Sequence, residues 1–188
     1  MSDELLFFLL GIALVCLVLV LRRRFADFMG QSADDYADVS PLFDMREHLN
    51  GAMICDGVIF GPFGRITSTF NADFNVSWNG NNGTIKERFV YNDGSVQNRE
   101  WRITLDDNGG FDAFADDVPG KGRGEIAGPA VLFNYPIRLP AESGGFKLKA
   151  FDCMYLTKQG TVVNRSQFRK FGFRVAELVA TIRKKETE

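Results

Sequence analysis

The sequence predicts an all-β protein: an antiparallel, up-and-down barrel of about eight strands, preceded by an N-terminal transmembrane helix. Three observations predict it. Aromatic residues make up 13% of the 188 residues, eighteen of them Phe, and aromatics spread over many short alternating segments favour β-structure. From Leu49 onward the apolar residues recur with a period of two. Turn signals punctuate the same region, with "GPFG" at 61–64, "NGNNG" at 79–83, "NDG" at 92–94, "DDNGG" at 106–110, "PGKG" at 119–122 and "ESGG" at 142–145. Short links between neighbouring strands describe a meander, and closing it removes the exposed edges.

The first element is the apolar run "LLFFLLGIALVCLVLVL", Leu5 to Leu21. As a helix it is about 26 Å long, at the short end of what spans a bilayer. Asp3 and Glu4 precede it and Arg22, Arg23 and Arg24 follow it. A cleaved signal peptide has the opposite order, with basic residues first and small residues at the end. Val15 stands where a lipoprotein signal needs a small residue before Cys16. Residues 1–24 therefore read as a signal-anchor with a basic flank. The positive-inside tendency places the C-terminal part in the cytoplasm, with a periplasmic placement as the alternative.

Residues 25–40 are acidic and unpatterned and read as a linker; residues 41–188 form the barrel domain, which opens with a short helix. In "SPLFDMREHLNG", Ser40 is the expected N-cap, Pro41 the first helical residue, and Leu42, Met45 and Leu49 the apolar face. Strands are expected at 51–60, 65–78, 84–91, 95–105, 110–116, 123–138 and 146–157, with a last one around 172–184. "NRSQFRKFG" before it reads as a helical turn closed by Gly172. "VAELVATI" also fits a helix, through Val175, Leu178, Val179 and Ile182; a strand is preferred because it closes the sheet against the first strand.

The hairpin "ERFVYNDGSVQNREW" sets the interior. A two-residue Asp93-Gly94 turn would place Arg88 opposite Arg99 and mix the faces. A three-residue loop, Asn92-Asp93-Gly94 with Gly94 left-handed, pairs Tyr91 with Ser95 and Glu87 with Arg99. One face is then Ile85, Glu87, Phe89, Tyr91, Gln97, Arg99 and Trp101, and the other is plainly wet. Glu87 and Arg99 thus face inward as neighbours, and in "FKLKAFDCMYL" the apolar face also includes Asp152. Buried charges persist only when paired or used. Two readings stay open: a structural ion pair, and a polar anchor for a ligand, with Arg99 meeting its head group.

The net charge of −2 argues for neither nucleic acid nor an acidic tail. Three cysteines give no disulfide framework, and with one histidine, His48, they cannot supply a zinc site. Hydrolase, metalloprotease and phosphate-loop motifs are absent. "DDNGGFDAFADD" puts Gly110 where a calcium loop needs a ligand. No cofactor is implied and no catalytic residue is assigned.

"YNDG", "REW", "GKGRGEIAG", "FDCMYL" and "NRSQFRKFG" together resemble the bacterial domain-of-unknown-function family 3833. That resemblance implies a lipocalin-like barrel of the cell envelope with a prior for a lipid or other hydrophobic ligand, and it supplies no catalytic residues. The functional expectation is a membrane-anchored carrier of a hydrophobic, acidic small molecule such as a fatty acyl chain. Glu87, Tyr91, Gln97, Arg99, Trp101 and Asp152 are its candidate binding residues, with Phe70, Phe74 and Phe89 as the wall. The alternatives are a non-binding interaction module of a membrane complex and a lipid-modifying enzyme.

Overall fold

The computed structural model describes residues 2–141 and 144–186. The chain forms two compact units, Met1–Asp35 and Tyr36–Glu188.

In the first unit, α1 runs over Asp3–Phe25. Ser2 caps it by accepting from the Leu5 amide at 3.4 Å, Asp3 and Glu4 sit in the first turn, and Arg22, Arg23 and Arg24 in the last. Both charge sets complement the helix dipole. None of its residues is buried, and it is long and apolar enough to cross a bilayer. Two short 3-10 turns follow at Phe28–Gly30 and Ala33–Asp35, inside the stretch expected to be linker.

The second unit is a closed antiparallel barrel of ten strands among the described residues. They are β1 (Gly51–Phe60), β2 (Ile66–Asn79), β3 (Asn82–Tyr91), β4 (Val96–Leu105), β5 (Gly110–Phe114), β6 (Gly122–Ala127), β7 (Ala130–Arg138), β8 (Lys147–Leu156), β9 (Val162–Lys170) and β10 (Phe173–Lys184). Each strand pairs with the next, and β10 returns to β1 with Cys55 opposite Ile182. The alternation Ile66 to Trp78 behaves as its period predicts, with Phe70, Ala72, Phe74 and Val76 buried and Asn71, Asp73 and Asn75 exposed.

The β3–β4 hairpin adopts the three-residue loop. The Tyr91 amide donates to Ser95 O at 2.9 Å, Gly94 has φ 83°, and Glu87 lies opposite Arg99. "VAELVATI" is part of β10, which closes the barrel.

The expectation of about eight strands is corrected to ten. The stretch 123–138 contains a tight turn, because Gly128 (φ 51°) and Pro129 divide it into β6 and β7. "NRSQFRKFG" is strand, not helical turn. Asn164, Ser166 and Phe168 face inward and Arg165, Gln167 and Arg169 outward, so polar residues on both faces hide the period of two. Of the "ESGG" turn, Glu142 and Ser143 lie outside the described residues.

The short helix is also corrected. α2 spans only Met45–His48, and its cap is Asp44, which accepts from the Arg46 amide at 2.8 Å, rather than Ser40. The Phe43 amide is tied to Gly128 O at 2.8 Å, which holds the preceding residues extended over the β6–β7 turn. Leu42 is consequently exposed, while Met45 and Leu49 are buried. His48 Nδ1 accepts from the Asp44 amide at 3.1 Å, a capping role.

Strand alternation defines two ends. The base gathers the connections 80–81, 106–109, 128–129 and 157–161, together with α2. Phe43, Met45 and Leu49 plug it, and Trp78 Nε1 donates to Leu49 O at 2.8 Å. The rim gathers 61–65, 92–95, 115–121, 139–146 and 171–172.

Candidate functional site: the barrel cavity

A cavity of about 140 Å³ lies inside the barrel above Met45 and Leu49. Its walls are mainly aromatic. On one side Phe89 meets Phe70 and Phe74 edge-on, with ring centroids 5.4 and 5.8 Å apart. On another, Trp101 lies edge-on to Phe133 and Tyr135, each at 5.2 Å. Such contacts add to the apolar burial and fix the rings in place.

Into this apolar lining the strands deliver Glu87 from β3, Arg99 from β4, Tyr135 from β7, Asp152 from β8, and Asn164 and Ser166 from β9. Arg99 is held on three sides. Its Nε donates to Asp117 Oδ1 at 3.1 Å, and its Cζ lies 4.1 Å from the Trp101 ring centre and 5.5 Å from that of Tyr135. Tyr135 Oη donates to Asp152 Oδ2 at 3.0 Å. No hydrogen bond or ion pair joins Glu87 to Arg99 among the described residues, so the expected internal pair is replaced by Arg99–Asp117.

Among the described residues, four buried polar atoms on cavity residues have no hydrogen-bond partner: Glu87 Oε2, Arg99 Nη2, Asp152 Oδ1 and Asn164 Oδ1. Buried polar groups are nearly always satisfied by protein or ordered water, so their concentration around one cavity makes it the candidate site. The electrostatics agree with this. Burial raises the Glu87 carboxyl to about 7, with Arg99 opposing and Asp152 and Asp117 adding to the rise. Burial raises Asp152 to about 6, against its hydrogen bonds from Ser166 and Tyr135 and the nearby Arg99 charge. Burial also pushes the inward-facing Cys55 thiol up to about 12, with Glu87 and Asp56 contributing, so it is inert as a nucleophile near neutrality.

Seven of the nine residues named from the sequence line this cavity: Glu87, Arg99, Trp101, Asp152, Phe70, Phe74 and Phe89. Tyr91 and Gln97 do not. They sit nearer the rim and satisfy each other, Tyr91 Oη donating to Gln97 Oε1 at 2.8 Å. Sequence reasoning missed Tyr135, Asn164, Ser166 and Asp117. Tyr135 was hidden by merging β6 with β7, and Asn164 and Ser166 by reading β9 as helical. Asp117 lies in the β5–β6 connection, where no period operates. A wider depression of about 760 Å³ at β2–β4 is lined by exposed charges of both signs, among them Asp73, Lys86 and Arg88, and shares Phe74, Glu87 and Arg99 with the cavity.

Residues 24–184 match a family described as "Protein of unknown function (DUF3833)". No curated protein matches the chain. Among solved structures it is similar to the S-type phycobiliprotein lyase CPES from Guillardia theta, with a TM-score of 0.54 and 8% identity over 76% of this chain and 91% of that one. It is also similar to a protein with unknown function from the DUF3598 family of Nostoc punctiforme. There the TM-score is 0.53 at 11% identity, and the likeness covers 78% of this chain and about half (51%) of that one. At these identities the likeness is one of fold alone.

Proposed function

We infer the function of this chain, which belongs to the DUF3833 family, from one observation: partnerless polar atoms of Glu87, Arg99, Asp152 and Asn164 surround an aromatic-walled cavity. The barrel binds a small molecule with an apolar body and a compact polar head. Cavity size sets the scale. At about 140 Å³ the space is close to that of an engineered cavity that takes one benzene ring and below the roughly 300 Å³ at which drug-sized pockets begin. A ring or short chain fits as it stands, and a longer tail extends toward the rim.

The head-group chemistry follows from the inventory. Three of the unsatisfied atoms are oxygens and one is a guanidinium nitrogen, and Arg99 already has Asp117 as its counter-ion. An anionic head would meet Glu87 and Asp152 with only part of one cation to offset them. A neutral head that both donates and accepts, such as a hydroxyl or an amide, satisfies more of these groups. This replaces the acidic head expected from the sequence. A membrane supplies ligands of this kind, and the same reading makes residues 1–24 an anchor with Arg22–Arg24 on the cytoplasmic side, 25–40 a linker and 41–188 the ligand domain. The fold-level likeness to a phycobiliprotein lyase supports small-molecule binding in general and names no ligand here.

The test is native mass spectrometry of the full chain released from detergent, with hexanol, hexanoate and hexylamine then compared at pH 8 by Trp fluorescence. A co-purified adduct, and hexanol binding more tightly than hexanoate, support this reading. Tighter hexanoate binding that is lost in Arg99→Ala would restore the acidic ligand. A bare mass with no fluorescence response to any of the three would make the barrel an interaction module.

A further inference from the structure

The rim is unlike the base. In ring order its connections run 61–65, 171–172, 139–146, 115–121 and 92–95, because β1 neighbours β10 and β9 neighbours β8. The first three form one arc, and four phenyl rings stand on it in the open: Phe63 is 92% exposed, Phe171 91%, Phe173 77% and Phe146 48%. Exposed apolar residues scattered singly are ordinary, but four rings on one arc are a patch. The described charges on this arc share a sign. Glu142 of the 139–146 connection lies outside the described residues; among the described residues of 61–66, 139–141, 144–147 and 169–174 there is no carboxylate, whereas Arg65, Lys147, Arg169, Lys170 and Arg174 are present. Arg174 is paired with Glu177 on β10, and Lys170 Nζ lies 3.4 Å from the Phe146 ring centre. The other two connections carry Asp93, Asp116 and Asp117 against Lys121.

A second, independent observation concerns the backbone. Phe171 is the one non-glycine with positive φ among the described residues (51°), followed by Gly172 at 86°. This two-residue turn needs positive φ at both positions and favours Asn-Gly. A bulky side chain is strained there, and with the ring 91% exposed, packing does not offset the strain. Strain retained without a folding return points to function.

We propose that this arc is a membrane-docking surface, which seats the barrel mouth on the headgroup layer of a bilayer containing anionic phospholipid. The phenyl rings enter the interfacial layer and the cations meet lipid phosphates, as in other amphipathic interfacial surfaces. The acidic arc stays in water, so the mouth tilts. The surface lies at the end opposite the α2 plug, where a ligand leaving a bilayer would enter.

The experiment uses the full chain with Cys16→Ala in nanodiscs, labelled with an environment-sensitive fluorophore at Pro62→Cys on the rim or, as control, at Asp107→Cys at the base. Quenching by lipids with a nitroxide near the headgroup is read with and without phosphatidylserine. The rim label should be quenched severalfold more than the base label, more so with phosphatidylserine and less at high salt. Each reversal among Arg65→Glu and Lys170→Glu should weaken docking about fivefold or more. Phe171→Asn should also weaken it, while its melting temperature is unchanged or higher, which separates docking from folding. Equal quenching at both labels, indifference to phosphatidylserine, or rim protection only at high protein concentration (a second copy on the rim) would each overturn the proposal.

Discussion

Arg99 Nε donates to Asp117 Oδ1 at 3.1 Å, across the gap between β4 and the β5–β6 connection, while its cross-strand neighbour Glu87 leaves Oε2 without a partner. The barrel's central cation is thus committed to a loop carboxylate, and the two carboxyls from β3 and β8 remain beside the cavity. This division of partners is what favours the proposed site over a self-neutralised pair.

Removing the cation should expose that imbalance. Arg99→Ala leaves Glu87, Asp117 and Asp152 without it and strips the guanidinium from the face of Trp101. A loss of roughly 3 kcal/mol is expected, as for breaking a buried pair from one side, and it should grow with pH as the carboxyls ionise. Urea denaturation of both proteins at pH 5 and pH 8 checks this; a loss that shrinks at pH 8 would contradict it.

Glu87 makes stability fall as pH rises. Its carboxyl is raised from 4.5 to about 7, mainly by burial. The folded protein therefore holds that proton more tightly than the unfolded chain, so the contribution is full below pH 4.5 and is lost as pH rises through about 7. Glu87→Gln should accordingly match wild type near pH 4 and be more stable by roughly 3 kcal/mol at pH 8. A difference independent of pH would show that Glu87 ionises without penalty.

Tyr135 lowers the Asp152 pKa by donating to Oδ2 at 3.0 Å, against a burial that lifts it to about 6. Tyr135→Phe removes the donor and keeps the ring, so Asp152 should titrate higher still. Carbon-detected NMR of the side-chain carboxyl would follow it, and an unmoved or lower value would mean that the hydroxyl is not bonded to Asp152 in solution.

Two glycines should respond differently to alanine. Gly94 (φ 83°) closes the β3–β4 loop with open space where a methyl group would stand, so Gly94→Ala should cost about 1 kcal/mol from the backbone alone. At Gly128 (φ 51°) an added Cβ would lie 2.0 Å from Tyr36 O and 2.6 Å from Val39 O, backbone atoms that cannot turn aside. Gly128→Ala should lower the melting temperature by at least twice as much as Gly94→Ala. Equal shifts would mean that residues 36–43 do not hold their place over the β6–β7 turn.

Much of this was legible in the sequence where one side of a strand is apolar. The run from Ile66 to Trp78 announces its period, and the charges of "ERFVYNDGSVQNREW" fix a register that the structure reproduces residue for residue. Legibility failed where the interior turns polar. Asn164 and Ser166 on β9 look like solvent residues until the barrel closes around them, and the same polarity makes them cavity-lining. Asp117 and Tyr135 escaped for a different reason. The partner of a buried charge is chosen in three dimensions, and Asp117 reaches Arg99 from a connection eighteen positions away in the chain. In α2, propensity favoured Ser40-Pro41 as the start, and the tie from Phe43 to Gly128 O overrode it.

Met45, Leu49 and Phe43, fastened through Trp78 Nε1, close the base of the barrel among the described residues. On the proposed binding role, the barrel would act as a cup and not a conduit. Its contents would enter and leave on the rim side, and direction would have to come from whichever surface or acceptor the rim faces.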